Sequence, residues 1–334
     1  MTAIPRSTGA KRRDLLVVAA ALGATAFAPA ALGQAARWPS KPIRIVVAFP
    51  PGGLTDAYAR QYGEFLSGKL GQPVLVDNKP GAGAIIGIDL VAKSPPDGHT
   101  LLMTTSGTVW QNRVLSSKLP YNLDKDLTPV VFFPSGPLVV GVPEKLGVGS
   151  FKEFIEYAKK NPTSMGTYAP GSYPHMVADQ TNRAEGTKIQ SVHYRGEAPM
   201  WVDVAGGQTQ IAVGSYQAFN TVSTRGVRPI GVTGSYRSPK LPDVPTLIEQ
   251  GVGGRLVGLE GGLPLLAPSG TPEAVLQTLS RAAVEWADTP GAAKLRESFA
   301  IPNKPKNLAD MRKGWERDVP VWIKLAVDLG IKLD

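Results

Sequence analysis

Residues 43–56 run I-R-I-V-V-A-F-P-P-G-G-L-T-D. Residues 43–49 are apolar apart from Arg44 and rich in β-branched side chains, which predicts a buried strand. Beyond the turn, Tyr58, Tyr62, Phe65, Leu66 and Leu70 fall near one face at helical spacing. Between the two, Pro50 and Pro51 lack the N–H groups that would continue a strand ladder. Gly52 and Gly53 let backbone amides approach a bound group with no side chain in the way. Thr55 or Asp56 stands where a helix cap is needed. A strand, a glycine turn and a helix N-terminus together attract anions. At this stage a phosphate and a carboxylate are equally open.

The same order continues along the chain. Strand-like runs occupy 74–76, 101–104, 138–142, 165–168, 189–194, 211–213, 229–232 and 263–267, with helix-like stretches between most of them. Ser150-Phe151-Lys152-Glu153 has the form of a capping box opening a helix over 151–160, which Asn161-Pro162 ends. Thr271-Pro272 predicts a cap followed by proline at the first position of a helix over 273–287. Over 308–329, Met311, Trp315, Trp322, Leu325 and Leu329 share a face. This is a packing helix that Pro320 is expected to kink or split. The alternation predicts an α/β chain with layers of helices on largely parallel sheets.

The second half repeats the plan of the first. A strand over 165–168 leads into Ala169-Pro170-Gly171-Ser172 and then a helix near 174–184. Open α/β sheets bind ligands beyond the carboxyl ends of their strands. Two such turns facing each other would line a cleft between domains, where pockets concentrate.

Composition narrows the chemistry. The 334 residues suffice for two domains, and 43% hydrophobic with 19% charged residues describes a folding chain. The absence of cysteine removes disulfides, thiolate nucleophiles and cysteine-ligated metals. With only three histidines, His99, His175 and His193, a histidine-rich metal site is not expected. Lys11-Arg12-Arg13, an apolar run over 15–28 and small residues at Gly33-Gln34-Ala35 predict a secretory signal peptide over 1–35; the apolar run is too short for a membrane span. Arg12-Arg13 leaves the general and twin-arginine export routes both open. Its removal takes Arg6, Lys11, Arg12, Arg13 and Asp14 with it, lowering the formal charge from +9 to about +6. The remaining cations are dispersed, with no nucleic-acid footprint.

Other motifs carry less than these turns. Pro80-Gly81-Ala82-Gly83-Ala84-Ile85-Ile86-Gly87 resembles a dinucleotide fingerprint, but the spacing is G-x-G-x-x-x-G and no P-loop lysine follows. It reads better as a tight helix start in which small residues allow close packing. No G-x-S-x-G elbow exists. Ser172 and His175 invite a nucleophile–base reading with Asp179 or Asp203 as orienter, yet so short a span at a helix start does not suit a triad. Asp56, Asp203 and Glu260 form no connected acid–base set by spacing. Arg195 in Tyr194-Arg195-Gly196 either holds a ligand carboxylate or pairs with Glu197 or Asp203.

An ordered set of segments carries a resemblance to a known family. These are Trp38-Pro39 with K-P-I-R-I-V-V-A-F-P-P-G-G-L-T-D-A-Y-A-R (41–60), L-G-Q-P-V-L-V-D-N-K-P-G-A-G-A-I-I-G (70–87) and P-D-G-H-T-L-L-M (96–103). Later come H-Y-R-G-E-A-P-M (193–200), D-V-A-G-G-Q-T-Q (203–210), R-S-P-K-L-P-D-V-P-T (237–246) and L-A-P-S-G-T-P (266–272). The chain resembles the extracytoplasmic solute receptors of the tripartite tricarboxylate transporter family, the Bug-type receptors. The resemblance implies a periplasmic-binding-protein-like fold: two mixed or parallel sheets flanked by helices, with the ligand cleft between domains. It implies domain 1 over 36–140 and 263–334, and domain 2 over 141–262. It implies a periplasmic protein that is no enzyme, uses no cofactor or metal, acts as a monomer, and delivers a small carboxylate to membrane permease subunits. Carried onto this chain, ligand contacts fall on Phe49, Gly52, Gly53, Thr55 and Asp56, then on Thr105 and Ser106. From the second domain they fall on Gly171, Ser172, Asp203 and Tyr216. Three departures stand out: Ala169-Pro170 removes an amide donor from the second turn, 215–219 lacks a proline common nearby, and Pro320 is unusual in the last helix. An exported α/β hydrolase and a ligand-sensing receptor for signalling are the rival expectations.

Overall fold

Two five-stranded sheets organise the chain, and they repeat one topology. The computed structural model describes residues 1–3, 38–254, 256–259 and 261–330. Apart from its first three residues, the expected leader lies outside the described residues, as does Glu260. In chain order the first sheet receives β1 (Ile43–Val47), α1 (Leu54–Leu70), β2 (Val74–Asn78), α2 (Ile85–Ala92), β3 (Thr100–Met103), α3 (Ser106–Leu115), α4 (Leu123–Asp126) and β4 (Leu127–Pro134). The second receives β5 (Val139–Pro143), α5 (Phe151–Lys160), β6 (Ser164–Thr167), α6 (Tyr173–Glu185), β7 (Gln190–His193), α7 (Glu197–Gly206), β8 (Ile211–Gly214), α8 (Tyr216–Asn220) and β9 (Val227–Val232). The chain then returns through β10 (Gly262–Pro268), α9 (Glu273–Trp286), α10 (Pro290–Ser298) and α11 (Leu308–Leu329).

Strand order is β2-β1-β3-β10-β4 in one sheet and β7-β6-β8-β5-β9 in the other. In each, the first three strands are parallel. The fourth is antiparallel to both of its neighbours. Those antiparallel strands, β10 and β5, are the ones the chain delivers after leaving the other sheet. This is the two-domain α/β fold expected from the sequence, with mixed sheets. The order reverses between β1 and β3, and again between β6 and β8, so each sheet has one switch point where a crevice opens.

Both edge strands β4 and β9 hold a proline inside the ladder. The register of β4 against β10 jumps from Val131 to Pro129, leaving Val130 bulged. That of β9 against β5 jumps from Gly231 to Pro229, leaving Ile230 bulged. An edge position and a bulge are the two settings in which a strand tolerates a missing N–H. Pro129 and Pro134 also explain why β4 carried no strand signal in the sequence.

The core under the first sheet is aromatic: Tyr58, Tyr62, Phe133 and Trp286 pack with ring centroids 5.4–5.8 Å apart, mostly edge to face. In the second, Trp201 meets Phe219 at 5.5 Å. Trp201 also fixes Gly141 of β5, where a Cβ would lie 2.8 Å from the indole ring. At α5, Ser150 Oγ accepts Glu153 N–H while Glu153 Oε2 accepts the Gly149 amide, a capping box displaced by one residue on its return bond. Thr271 does not cap α9: its hydroxyl donates to Pro268 O, and Pro272 occupies the cap position. Pro320 neither ends nor splits α11, which runs through it as one 22-residue helix. Among the described residues no helix is long and apolar enough to cross a membrane.

Candidate ligand cleft

The first turn sits on the β1–β3 switch point. Gly52 adopts φ +90°, a conformation open to glycine and costly for other residues. Gly53 is the N-cap of α1, with ordinary extended geometry and no side-chain cap. A Cβ at either glycine would meet nothing within 4 Å, so the space above the turn is open.

Asp56 shapes this turn from behind. It is 4% exposed and lies in the first turn of α1. Its Oδ2 accepts the Gly52 amide at 2.9 Å and Arg60 Nε at 2.9 Å. Its Oδ1 accepts Asn78 Nδ2 at 3.0 Å and lies 2.9 Å from Arg60 Nη2. Asn78 Nδ2 also donates to Phe49 O at 3.1 Å, and so ties the end of β2 to the turn. Burial pushes the Asp56 carboxyl up, but the bonds from Arg60, Gly52 and Asn78 outweigh it and hold the group below its ordinary value. The structure thus turns the Asp56 carboxylate toward Gly52, Arg60 and Asn78, with the Gly52 amide already engaged. Thr55 is buried beside it.

Across the switch point, Thr105 is the N-cap of α3, and its hydroxyl donates to Thr108 Oγ1 at 2.8 Å instead of capping the helix. Ser106 is 1% exposed, and its Oγ accepts the Gly262 amide at 3.1 Å. This bond fastens α3 to the start of β10, a link the sequence did not suggest. Thr104, fully buried at the end of β3, keeps an Oγ1 without a hydrogen-bond partner.

The second turn sits on the β6–β8 switch point and is built differently. Ser172 N–H donates to Ala169 O at 3.2 Å, closing a turn with Pro170 second and Gly171, at φ +69°, third. The Gly171 amide donates to His175 Nδ1 at 2.9 Å. Ser172 caps α6 without a side-chain bond, is 5% exposed, and its Oγ has no hydrogen-bond partner. Buried polar groups are normally paired, and one that is not calls for a cause such as a ligand. Ser172 and His175 do not form a nucleophile–base couple: His175 Nδ1 faces Gly171, and its ring packs against His193 with centroids 4.7 Å apart.

Asp203 lies well along α7, about 9 Å from its cleft end at 1.5 Å per residue. There its Oδ2 accepts the Tyr194 hydroxyl at 2.7 Å. Burial and Asp203 together push the Tyr194 phenol up to about 12. Tyr216 opens α8, half-buried, with its hydroxyl 3.3 Å from Asn220 Oδ1. Sequence reading missed Glu197 as a cleft-end group. It starts α7, accepts Ser215 N–H at 3.1–3.2 Å and Ser215 Oγ at 2.5 Å, and its carboxyl is raised by burial. The signal available was a lone acid after Gly196, a spacing shared with many helix starts. Arg195 is exposed, and no ion pair joins it to Glu197 or Asp203 among the described residues.

Side chains of α3 and α11 reach α6 of the other half and the turn before it. Gln111 of α3 is 1% exposed; with its amide nitrogen turned to Gly171 it donates to Gly171 O at 2.8 Å and to Gly107 O at 3.3 Å. Trp322 of α11 packs against Trp110 at 6.0 Å and Tyr173 at 6.3 Å. Tyr173 donates its hydroxyl to Leu256 O at 2.8 Å. A separate cavity of about 220 Å³, lined by Trp110, Phe132, Lys306, Met311 and Trp315, includes neither glycine turn in its lining. No cluster of three or more His, Cys, Asp or Glu side chains suited to a metal occurs among the described residues.

Comparison with known proteins agrees with this arrangement. The family model described as the tripartite tricarboxylate transporter family receptor matches residues 58–313. The UPF0065 protein in the tcbD-tcbE intergenic region of Pseudomonas sp. (strain P51) is 34% identical over 303 residues, covering 87% of each chain. The solved structure of R. palustris Rpa4515 with adipate superimposes with a TM-score of 0.79 at 31% identity, over 89% of this chain and 100% of that one. The periplasmic binding protein BugD does so with a TM-score of 0.75 at 27% identity, over 88% of this chain and 100% of that one. The chain accordingly belongs to the tripartite tricarboxylate transporter receptor family, and it is a solute-binding receptor of the Bug type, not an enzyme.

Proposed function

We propose that this receptor captures a small carboxylate in the periplasm and presents it to the permease subunits of a tripartite transporter. The observation that carries the reading is the Ser172 hydroxyl, 5% exposed and without a protein partner at the N-terminus of α6. A carboxylate oxygen is the acceptor that satisfies a buried hydroxyl beside a positive helix end. The open space over Gly52 and Gly53 gives the anion's other end, or a bridging water, access to the backbone of the first turn. The adipate held by Rpa4515, a protein 31% identical to this chain, supports the ligand class.

In this reading Phe49, Gly53, Thr105, Ser172 and Tyr216 face the ligand. Gly52 and Gly171 set the turns, while Asp56, Ser106 and Asp203 support them from behind. Sheet membership supports a division close to 36–140 with 263–334, and 141–262, with the crossings just before β5 and β10 as hinges. The leader over 1–35 directs export, and the receptor works as a monomer that closes by hinge movement. A thermal-shift screen of mono-, di- and tricarboxylates and aromatic acids tests the reading, because a ligand of the native state raises the midpoint. A rise with one or more acids, and none with the corresponding amides, is expected. If neither thermal shift nor calorimetry detects binding of any acid, the carboxylate reading fails.

A further inference from the structure

The two cleft turns are held by the same device. In each, a glycine with positive φ donates its amide to a side chain four residues on: Gly52 to Asp56 Oδ2 and Gly171 to His175 Nδ1, both at 2.9 Å. The acceptors differ in kind. Asp56 is an anion held below its ordinary range by three neighbours. An imidazole nitrogen accepts only while it carries no proton.

We propose that His175 is the positioning residue of the second cleft turn: its Nδ1 holds the Gly171 amide in the binding arrangement only while the ring is neutral, so that solute capture weakens when the ring takes up a proton. This rests on the carboxylate-receptor reading above. With the proton on Nε2, Nδ1 accepts the Gly171 N–H. Protonation places an N–H on Nδ1 as well, and two donors then face each other across 2.9 Å, so the turn must move. The movement reaches the site at two points. Ser172, the next residue, carries the hydroxyl without a partner. Gly171 O is the atom that Gln111 reaches from α3.

The surroundings decide where the ring titrates. Burial lowers the His175 pKa first, the His193 ring of β7 lowers it further, and Asp179, one turn on in α6, raises it. Asp179 is itself 3.0 Å from Arg183 Nε. His193 has its Nδ1 2.6 Å from Thr167 Oγ1 of β6, and burial lowers it too. A group whose folded pKa lies below its unfolded value stabilises the fold above the unfolded value and ceases to do so as pH falls through the histidine range. Capture is therefore undiminished at neutral pH and falls in acid. A positive imidazolium would by itself attract a carboxylate more strongly, so a loss of affinity in acid beyond the ligand's own protonation separates the positioning role from simple charge.

The test begins with ¹⁵N-labelled, solute-free protein followed by NMR from about pH 8 to about pH 5, the interval in which histidine titrates. The His175 ring is expected as the Nε2-protonated tautomer at the upper end, and the Gly171 amide resonance should move with its titration. His175→Asn, whose Oδ1 falls near the place of Nδ1, should keep an acceptor that does not titrate. Its Gly171 amide should stay put, and calorimetric affinity for adipate or malate should follow only the acid's own protonation across the range, without the further loss seen in the wild type. His175→Ala should lose about three- to tenfold at neutral pH, the worth of one neutral hydrogen bond. A Gly171 amide unmoved through the His175 titration overturns the proposal. So does a His175→Asn variant that keeps the wild-type pH profile. Failure of the wild type to take up any acid ends the carboxylate reading instead, and the amide titration still decides the role of His175.

Discussion

The hydroxyl of Ser106 accepts the amide of Gly262 at 3.1 Å, which ties the N-terminus of α3 to the first residue of β10, the strand on which the chain returns from the other sheet. The first turn of α3 and the start of β10 are thereby fastened to each other. Removing the Ser106 hydroxyl leaves the Gly262 amide without its acceptor. Ser106→Ala is expected to cost about 1–2 kcal/mol by urea denaturation. An unchanged midpoint would show that water replaces the hydroxyl freely.

Gly262 itself admits no side chain. A Cβ there would lie 2.2 Å from the Phe132 ring and 2.7 Å from Phe133 O, and the second contact is with backbone that cannot swing aside. Gly262→Ala should therefore destabilise the protein by about 2–3 kcal/mol or prevent folding. Wild-type stability in thermal melting would contradict the close approach.

Ser172→Ala removes a hydroxyl that has no protein partner. The solute-free protein should melt at the same temperature or slightly higher, because a buried unpaired polar group is lost. Affinity for a bound acid should fall about tenfold, as for one charge-assisted hydrogen bond. A drop in solute-free stability without a drop in affinity would place the hydroxyl in the fold and not in the site.

The two glycines of the first turn should respond differently. Gly52 has φ +90°, so Gly52→Ala strains the backbone by about 1–2 kcal/mol. Gly53 has φ −87° and open space around it, so Gly53→Val should change stability by less than about 0.5 kcal/mol. Its branched side chain would occupy the space over the turn and abolish binding. Calorimetry showing wild-type affinity in Gly53→Val would remove the first turn from the site.

Asp56→Ala should lose about 1–3 kcal/mol near neutral pH, the lower part reflecting the exposed Arg60 partner. The sign with pH follows from the depressed carboxyl. Its contribution is complete above the ordinary value of 3.8 and disappears as pH falls through the lower folded value. Wild type and variant should thus converge in acid. A difference that stays constant into strong acid would mean that the carboxylate's charge plays no part.

The sequence by itself determined a good deal. The apolar strand over 43–49, the glycine turns at 52–53 and 171, and the capping box at Ser150 each depend on local backbone rules, so they were legible one segment at a time. So was the repeat of strand, turn and helix that fixes the fold class. Strand β4 was not legible, because Pro129 reads as a breaker until a bulge and an edge position accommodate it. The site was half legible. That turns of this kind lie beyond strand ends is a local statement, but which of their donors are already satisfied is not. Gly52 and Gly171 looked like free amides until Asp56 and His175 were found four residues along, turned back on them. The amide that Ser106 accepts comes from Gly262 of β10, more than 150 residues later. Local propensity shows which groups are on offer. Only the packed chain decides which of them are left over for a ligand, because each buried donor and acceptor takes whatever partner the tertiary structure brings within reach.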